Sequence, residues 1–160
     1  MRHPTTLARF VVVTALLALS GLAGGCSYAM QVPDRFLVTQ NEWWELRALT
    51  PEESKLWVRE FTDDDKGSLS FWSEALKSDL LKSRGYTLIE EGPIKDGSGR
   101  EGLALVLETS LSGRPVRELM AVFVIPGWCD HTIRVVEYVA DKEAFVAEVD
   151  GVRASVATLK

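Results

Sequence analysis

The chain has 160 residues, with 18 Lys and Arg against 23 Asp and Glu and a formal charge of −5 at neutral pH. Nucleic-acid affinity comes mainly from Lys and Arg neutralising phosphates. No basic cluster of the kind that marks such partners is present, so nucleic acid is excluded as a partner.

At the N-terminus, Arg2 and Arg9 precede the apolar stretch Phe10–Leu19, which runs into Gly21-Leu22-Ala23-Gly24-Gly25-Cys26. This is the three-part layout of a secretory signal. A spanning helix needs about 20 apolar residues, and the run here is roughly half that before Ser20 and the glycines interrupt it. The stretch ending at Cys26 resembles the lipobox of a bacterial lipoprotein. It departs from the usual pattern in carrying Ala23 three places before the cysteine, with the large aliphatic Leu22 one place further out. The resemblance implies that residues 1–25 are a cleaved signal peptide and that the Cys26 sulfur and new N-terminus carry fatty acids, palmitate among them. The membrane is then a partner through lipid on Cys26. Ser27 follows the cysteine where an aspartate would retain many Gram-negative lipoproteins at the inner membrane. That is similar to an outer-membrane signal, and it implies a cell-envelope protein facing the periplasm. The competing reading is an ordinary signal peptide cut near Gly24, which leaves Cys26 free or in a disulfide.

Loss of Arg2 and Arg9 with the signal leaves 16 basic against 23 acidic residues, a charge of −7. The 135 remaining residues are of common single-domain size. With Cys26 acylated, only Cys129 remains, so no intramolecular disulfide can form even in an oxidising compartment. The core must come from apolar residues such as Trp43, Trp44, Trp57, Phe61, Trp72, Phe123, Trp128 and Phe145.

Residues 26–33 read as a tether ending at Pro33, and 34–160 as one domain. Phe36–Val38 and Trp43–Leu49 form an opening hairpin around Gln40-Asn41-Glu42. Leu56–Phe61 is rich in strand formers and stops at Asp63-Asp64-Asp65 and Gly67. Leu69, Trp72, Leu76 and Leu80 recur at three and four, which predicts an amphipathic helix over 68–83, capped by Ser68 or Ser70 and stopped at Gly85. Tyr86–Glu90 is extended and ends at Gly92-Pro93, followed by a mobile loop at Asp96-Gly97-Ser98-Gly99. Leu103–Leu107 and Val116–Ile125 form a long hairpin turning at Ser112-Gly113, and His131–Val139 is a further strand. Asp141 caps a second helix with Phe145, Val149, Val152 and Val156 on one stripe despite Gly151.

This order of hairpin, strand, helix ending at Gly85-Tyr86, meander over Gly102–Arg134 and terminal helix from near Phe145 resembles the PsbP-type fold. That fold class is α+β, an antiparallel sheet sandwiched by helices. It is shared by photosystem-associated lumenal proteins, a nuclear Ran-binding protein and many small bacterial lipoproteins. The resemblance implies a binding or assembly factor without catalysis and carries over no site residues.

The residues themselves carry little that points to catalysis. Cys129-Asp130-His131 contains a nucleophile and a base, but alternate side chains of an extended segment face opposite ways. One Cys and one His fall short of the three or four ligands zinc takes. The plainer reading makes Cys129 semi-buried and His131 a strand-edge residue. The triple aspartate lacks calcium-loop spacing and reads as a solvated turn. The glycines at 97–102 join two strands, so they lack the helix that makes a phosphate loop. No serine sits in a Gly-x-Ser-x-Gly elbow.

Adjacent Trp43 and Trp44 on a strand cannot both face one core. Either Trp44 packs inward and Trp43 is left at the surface, or helices over both faces bury both. Trp128 follows Pro126-Gly127 in a loop and reads as exposed. The sequence thus points to a lipid-anchored, non-catalytic binding or assembly module without cofactor. Its candidate surface for a protein partner is Trp43, Trp128, Cys129 and His131. The alternatives are a small periplasmic enzyme or metal binder using Cys129 and His131, and an apolar-ligand carrier, which needs a pocket beneath the sheet.

Overall fold

The computed structural model describes residues 28–160; the signal segment and Cys26 lie outside the described residues. The strands are β1 (Leu37–Glu42), β2 (Glu45–Leu49), β3 (Lys55–Asp63), β4 (Thr87–Lys95), β5 (Glu101–Leu111), β6 (Arg114–Pro126) and β7 (His131–Asp141). They form one antiparallel sheet in the order β1-β2-β3-β7-β6-β5-β4. Helix α1 (Leu69–Ser78) packs on one face and α2 (Lys142–Val156) on the other. This is the expected helix-covered α+β sheet.

The central strands are apolar in both phases because both faces are covered. Ala104, Val106, Leu119, Ala121, Phe123, Val136 and Tyr138 meet Phe145, Val152 and Val156 of α2. Their neighbours Leu105, Leu107, Met120, Val122, Ile133 and Val135 meet Leu69, Trp72 and Leu76 of α1 and Leu80 just beyond it. The β5–β6 hairpin turns at Ser112 (φ 53°) and Gly113 (φ 80°). Two left-handed residues in a two-residue loop match the twist of the strands.

Ser68 caps α1, its hydroxyl accepting the Phe71 N–H at 3.1 Å. The last turn of the expected helix, Asp79–Ser83, is π-helical. The Arg84 N–H reaches the Asp79 carbonyl at 3.1 Å and the Tyr86 N–H reaches that of Leu80 at 3.0 Å. Gly85, at φ +71°, provides the left-handed residue that closes the turn. Asp141 occupies the position before α2, but its side chain makes no capping hydrogen bond.

Several sequence expectations are corrected. Gly92-Pro93 does not end β4, which pairs only with β5 and places Pro93 opposite Leu103. An edge strand tolerates proline because its missing N–H can fall on the solvent side. The 96–99 loop is not a free hairpin tip. Asp96 is buried and accepts the Ser98 and Arg100 N–H groups at 2.9 Å and the Arg100 guanidinium at 2.7 Å, while the Gly97 N–H donates to Leu159 O at 2.8 Å.

The third correction concerns Trp43 and Trp44. They form the turn between β1 and β2, closed by the pair Glu42 and Glu45, so neither belongs to a strand face. Both are exposed, ring edge to ring face at 5.0 Å. The inward Trp44 and the burial of both under helices are therefore overturned.

The described part of the stretch read as a tether is packed down. Tyr28 is buried, with its N–H donating to Asn41 Oδ1 at 2.9 Å; the Gln31 N–H donates to Thr158 Oγ1 at 2.8 Å and the Lys160 N–H to Ala29 O at 3.3 Å. Met30 and Val32 add to the α2-side core.

Gly151 sits mid-helix in α2, exposed, and a Cβ built there meets nothing within 4 Å. Replacing it with alanine removes the backbone-entropy penalty of glycine at no steric cost. Gly151→Ala is expected to raise stability by about 0.5–1 kcal/mol, measured as an increased urea midpoint with unchanged slope.

Candidate functional site

Helix α1 covers β5, β6 and the start of β7 but leaves the same face of β3 open. The step between helix and open sheet is a cavity of about 470 Å³, within the size range of small-molecule sites. Met120, Val122, Ile133 and Val135 form its floor. Trp72, Leu76 and Leu80 form the helix wall, and Trp57 and Phe61 of β3 form the far side. The π-helical turn places Asp79 and Arg84 at the rim. Single π-helical turns recur at functional positions.

Beside this apolar floor stands a polar end made by Arg59, Glu137, Glu118 and Tyr86. Arg59 bonds Glu137 across β3 and β7 at 2.7 Å, and its guanidinium lies 3.9 Å from the Trp57 ring centroid. Arg47 stacks 4.6 Å from the same ring, whose indole N–H donates to Glu45. Cation–π contacts and a hydrogen bond thus fix Trp57 in one rotamer. The buried Arg59 Nε has no protein acceptor, so a donor is left over at this end of the cavity.

Glu118 is 3% exposed on the face of β6 toward α1. Burial pushes its carboxyl up to about 7, with repulsion from Glu137 adding to the shift, while the Tyr86 hydroxyl, Arg84 and Arg59 act in the other direction. The Tyr86 hydroxyl is raised in turn, first by burial and then by Glu118. Near neutral pH the Glu118 carboxyl therefore exists in both forms, able to donate or accept a hydrogen bond. Among the residues lining the cavity there is no Ser, Cys, His or Lys. What the arrangement can do is hold an apolar body with a hydrogen-bonding end.

Glu118 escaped sequence reasoning because Val116–Ile125 reads as a continuous buried strand. The signal was available: a carboxylate at an even position, in phase with Met120 and Val122, had to lie on a covered face.

The sequence-derived surface is only partly assembled. Trp128 and Cys129 lie in the β6–β7 turn, Trp128 97% exposed and Cys129 free and exposed rather than semi-buried. His131 opens β7 opposite Asp63, half-buried, with Nδ1 3.5 Å from Gly67 O. Trp43 stands at the same end of the sheet, but β3 separates its turn from the others. Among the described residues, no group of three or more His, Cys, Asp and Glu is placed to hold a metal.

Nor is the triple aspartate uniformly solvated. Asp63 is buried and accepts the Trp72 indole N–H at 2.8 Å and the Gly67 and Asp65 N–H groups at 2.7 and 3.1 Å, bonds that hold its carboxyl below the usual range. These bonds fix the start of α1, and with it the Trp72 wall of the cavity.

The Glu118 proton makes stability pH-dependent. Between the ordinary glutamate value and about 7, the folded chain keeps a proton that the unfolded chain releases, so this group's contribution falls as pH rises through that window and is flat above it. Glu118→Gln removes that loss. Relative to wild type, the variant is expected to gain about 3 kcal/mol between about pH 4 and about pH 8, measured by urea denaturation at both.

No protein-family model matches the chain, and no curated protein matches it by sequence. Solved structures do match. LpqN of Mycobacterium tuberculosis, which is involved in cell envelope biogenesis, superposes with a TM-score of 0.67 at 13% identity over 82% of this chain and 79% of its own. A Pseudomonas aeruginosa protein of unknown function gives 0.54 at 11% identity over 79% and 96%. The Saccharomyces cerevisiae Ran-binding protein Mog1p gives 0.50 at 12% over 81% and 80%. At these identities the likeness establishes the fold: the chain adopts the Mog1p/PsbP-like α+β fold that LpqN also has.

Proposed function

We propose that this chain is a lipid-anchored protein of the bacterial envelope that binds an apolar or amphiphilic small molecule between α1 and the sheet, without catalysing a reaction on it. The observation that carries the reading is the 470 Å³ cavity, whose apolar floor ends at Glu118, Tyr86 and the unpartnered Nε of Arg59. Burying an apolar body on that floor supplies binding energy in proportion to the area covered. The polar end selects for a molecule whose head can meet a carboxyl that donates or accepts. Likeness in fold to LpqN, a protein of envelope biogenesis, supports the setting. The signal layout and the lipobox-like run at Cys26 supply the anchor.

Two measurements test this. Labelled palmitate is expected on the wild type and absent from Cys26→Ala; label on neither would remove the anchor. Ala75 lines the cavity from α1 and is otherwise exposed, so Ala75→Trp fills the space without disturbing the core. That variant is expected to weaken binding of a fluorescent fatty-acid probe by about tenfold or more, the ~1.4 kcal/mol that a small loss of apolar burial represents. Absence of saturable binding to the wild type, or affinity unchanged by Ala75→Trp, would sink the pocket reading.

A further inference from the structure

Three of the five tryptophans stand exposed at one end of the sheet: Trp128 at 97%, Trp43 at 62% and Trp44 at 43%. The register places them there together. The β1–β2 turn, the end of β3 at Asp63, and the β6–β7 turn between Pro126 and His131 all lie at this end. Trp57 and Trp72, by contrast, lie against the face that carries α1.

The described chain also starts here. Tyr28 exchanges hydrogen bonds with Asn41, whose side chain reaches both the Tyr28 N–H and its carbonyl, and Asn41 lies two residues from Trp43. The chain from Tyr28 back to Cys26 spans at most about 7 Å even when fully extended. Lipid on Cys26, the anchor proposed above on which this inference rests, therefore holds this end of the sheet against the membrane.

Tryptophan is the side chain that favours the headgroup depth of a bilayer, its ring apolar and its N–H able to bond. The charged groups flanking the turns, Glu42, Asp64, Asp65, Lys66 and Asp130, are mostly acidic, so attraction to anionic lipid is not what this end offers.

We propose that the Trp43-Trp44 turn and Trp128 seat in the headgroup region of the membrane that carries Cys26, giving the domain one fixed orientation on its anchor. The acyl chains supply affinity, and the tryptophans restrict tilt. The strands then stand across the membrane plane, and the α1 cavity opens sideways, with half-exposed Phe61 on its rim nearest the lipid.

The test uses the full acylated protein, extracted from membranes and reconstituted into phosphatidylcholine vesicles containing lipid brominated near the headgroup. Acylation is checked separately by mass. Tryptophan emission is expected to fall by roughly half, because three of five rings lie at the headgroup level. The same fall is expected at high salt and without anionic lipid. In the variant Trp43→Tyr/Trp44→Tyr/Trp128→Tyr the remaining emission, from Trp57 and Trp72, should be unquenched. Acylated wild-type protein whose emission is unquenched overturns the proposal, as does quenching that vanishes in salt. Rim tryptophans shielded by a co-purifying protein instead of by lipid would overturn it in favour of a protein partner. A mass without acyl chains removes the anchor and the proposal together, a result distinct from an acylated but unquenched protein.

Discussion

The pairing of β3 with β7 makes one sheet out of two. Without it, β1-β2-β3 is a three-stranded meander with one apolar face, and β4 to β7 is a separate sheet. Nine residue pairs, from Lys55 with Val139 to Asp63 with His131, close the seam across more than 65 residues of intervening chain. The seam is stitched on both faces: Arg59 bonds Glu137 on the α1 side, and Arg134 bonds Glu60 at 2.7 Å on the α2 side, beneath the Tyr28 ring. With one ion pair on each face, a one-residue slip is ruled out, since it would send each partner to the wrong face. Pairing this distant in sequence is also the entropically costly contact to make, and it belongs late in folding.

The cavity is a by-product of how that seam is covered. Helix α1 grows out of β3 through the Asp63 loop and must return to the edge strand β4, so it crosses the β5–β6 half of the face and leaves the β3 side uncovered. The uncovered part carries Trp57, Arg59 and Phe61 in place of aliphatics. Arginine stacked on an aromatic ring is a surface that tolerates both water and an apolar guest. Glu118, on β6 two strands away from β3, lies under the helix cover, which is why its carboxyl is desolvated while Glu137 on the intervening β7 keeps an arginine.

Much of this was legible in the chain, and the failures have physical causes. The 3.6-residue recurrence of Leu69, Trp72, Leu76 and Leu80, the Gly85 stop, and the Ser112-Gly113 turn are local signals, and each element formed where read, the helix closing on a π-helical turn in place of its last α turn. Pro93 misled because whether a proline ends a strand depends on whether the strand has a neighbour on that side, a property of topology. Trp43 and Trp44 misled because their alternation was counted as if they lay in a strand, whereas their turn conformation follows from the pairing of Glu42 with Glu45. The site was the least legible part. Trp57, Arg59, Glu118 and Glu137 come from three strands, and only the β3–β7 seam brings them together. The residues that stood out in sequence, Cys129 and His131, did so by chemical type and not by placement.

Asn41, Thr158 and Lys160 each hold the first described residues, through bonds to Tyr28, Gln31 and Ala29. They belong to β1 and to the segment following α2, so a pull on the N-terminus would not peel one edge strand. It would be shared between the sheet and the α2 layer, with the buried Tyr28 ring as the plug to be drawn out. Load applied to the first described residues thus meets a clamp rather than a loose end.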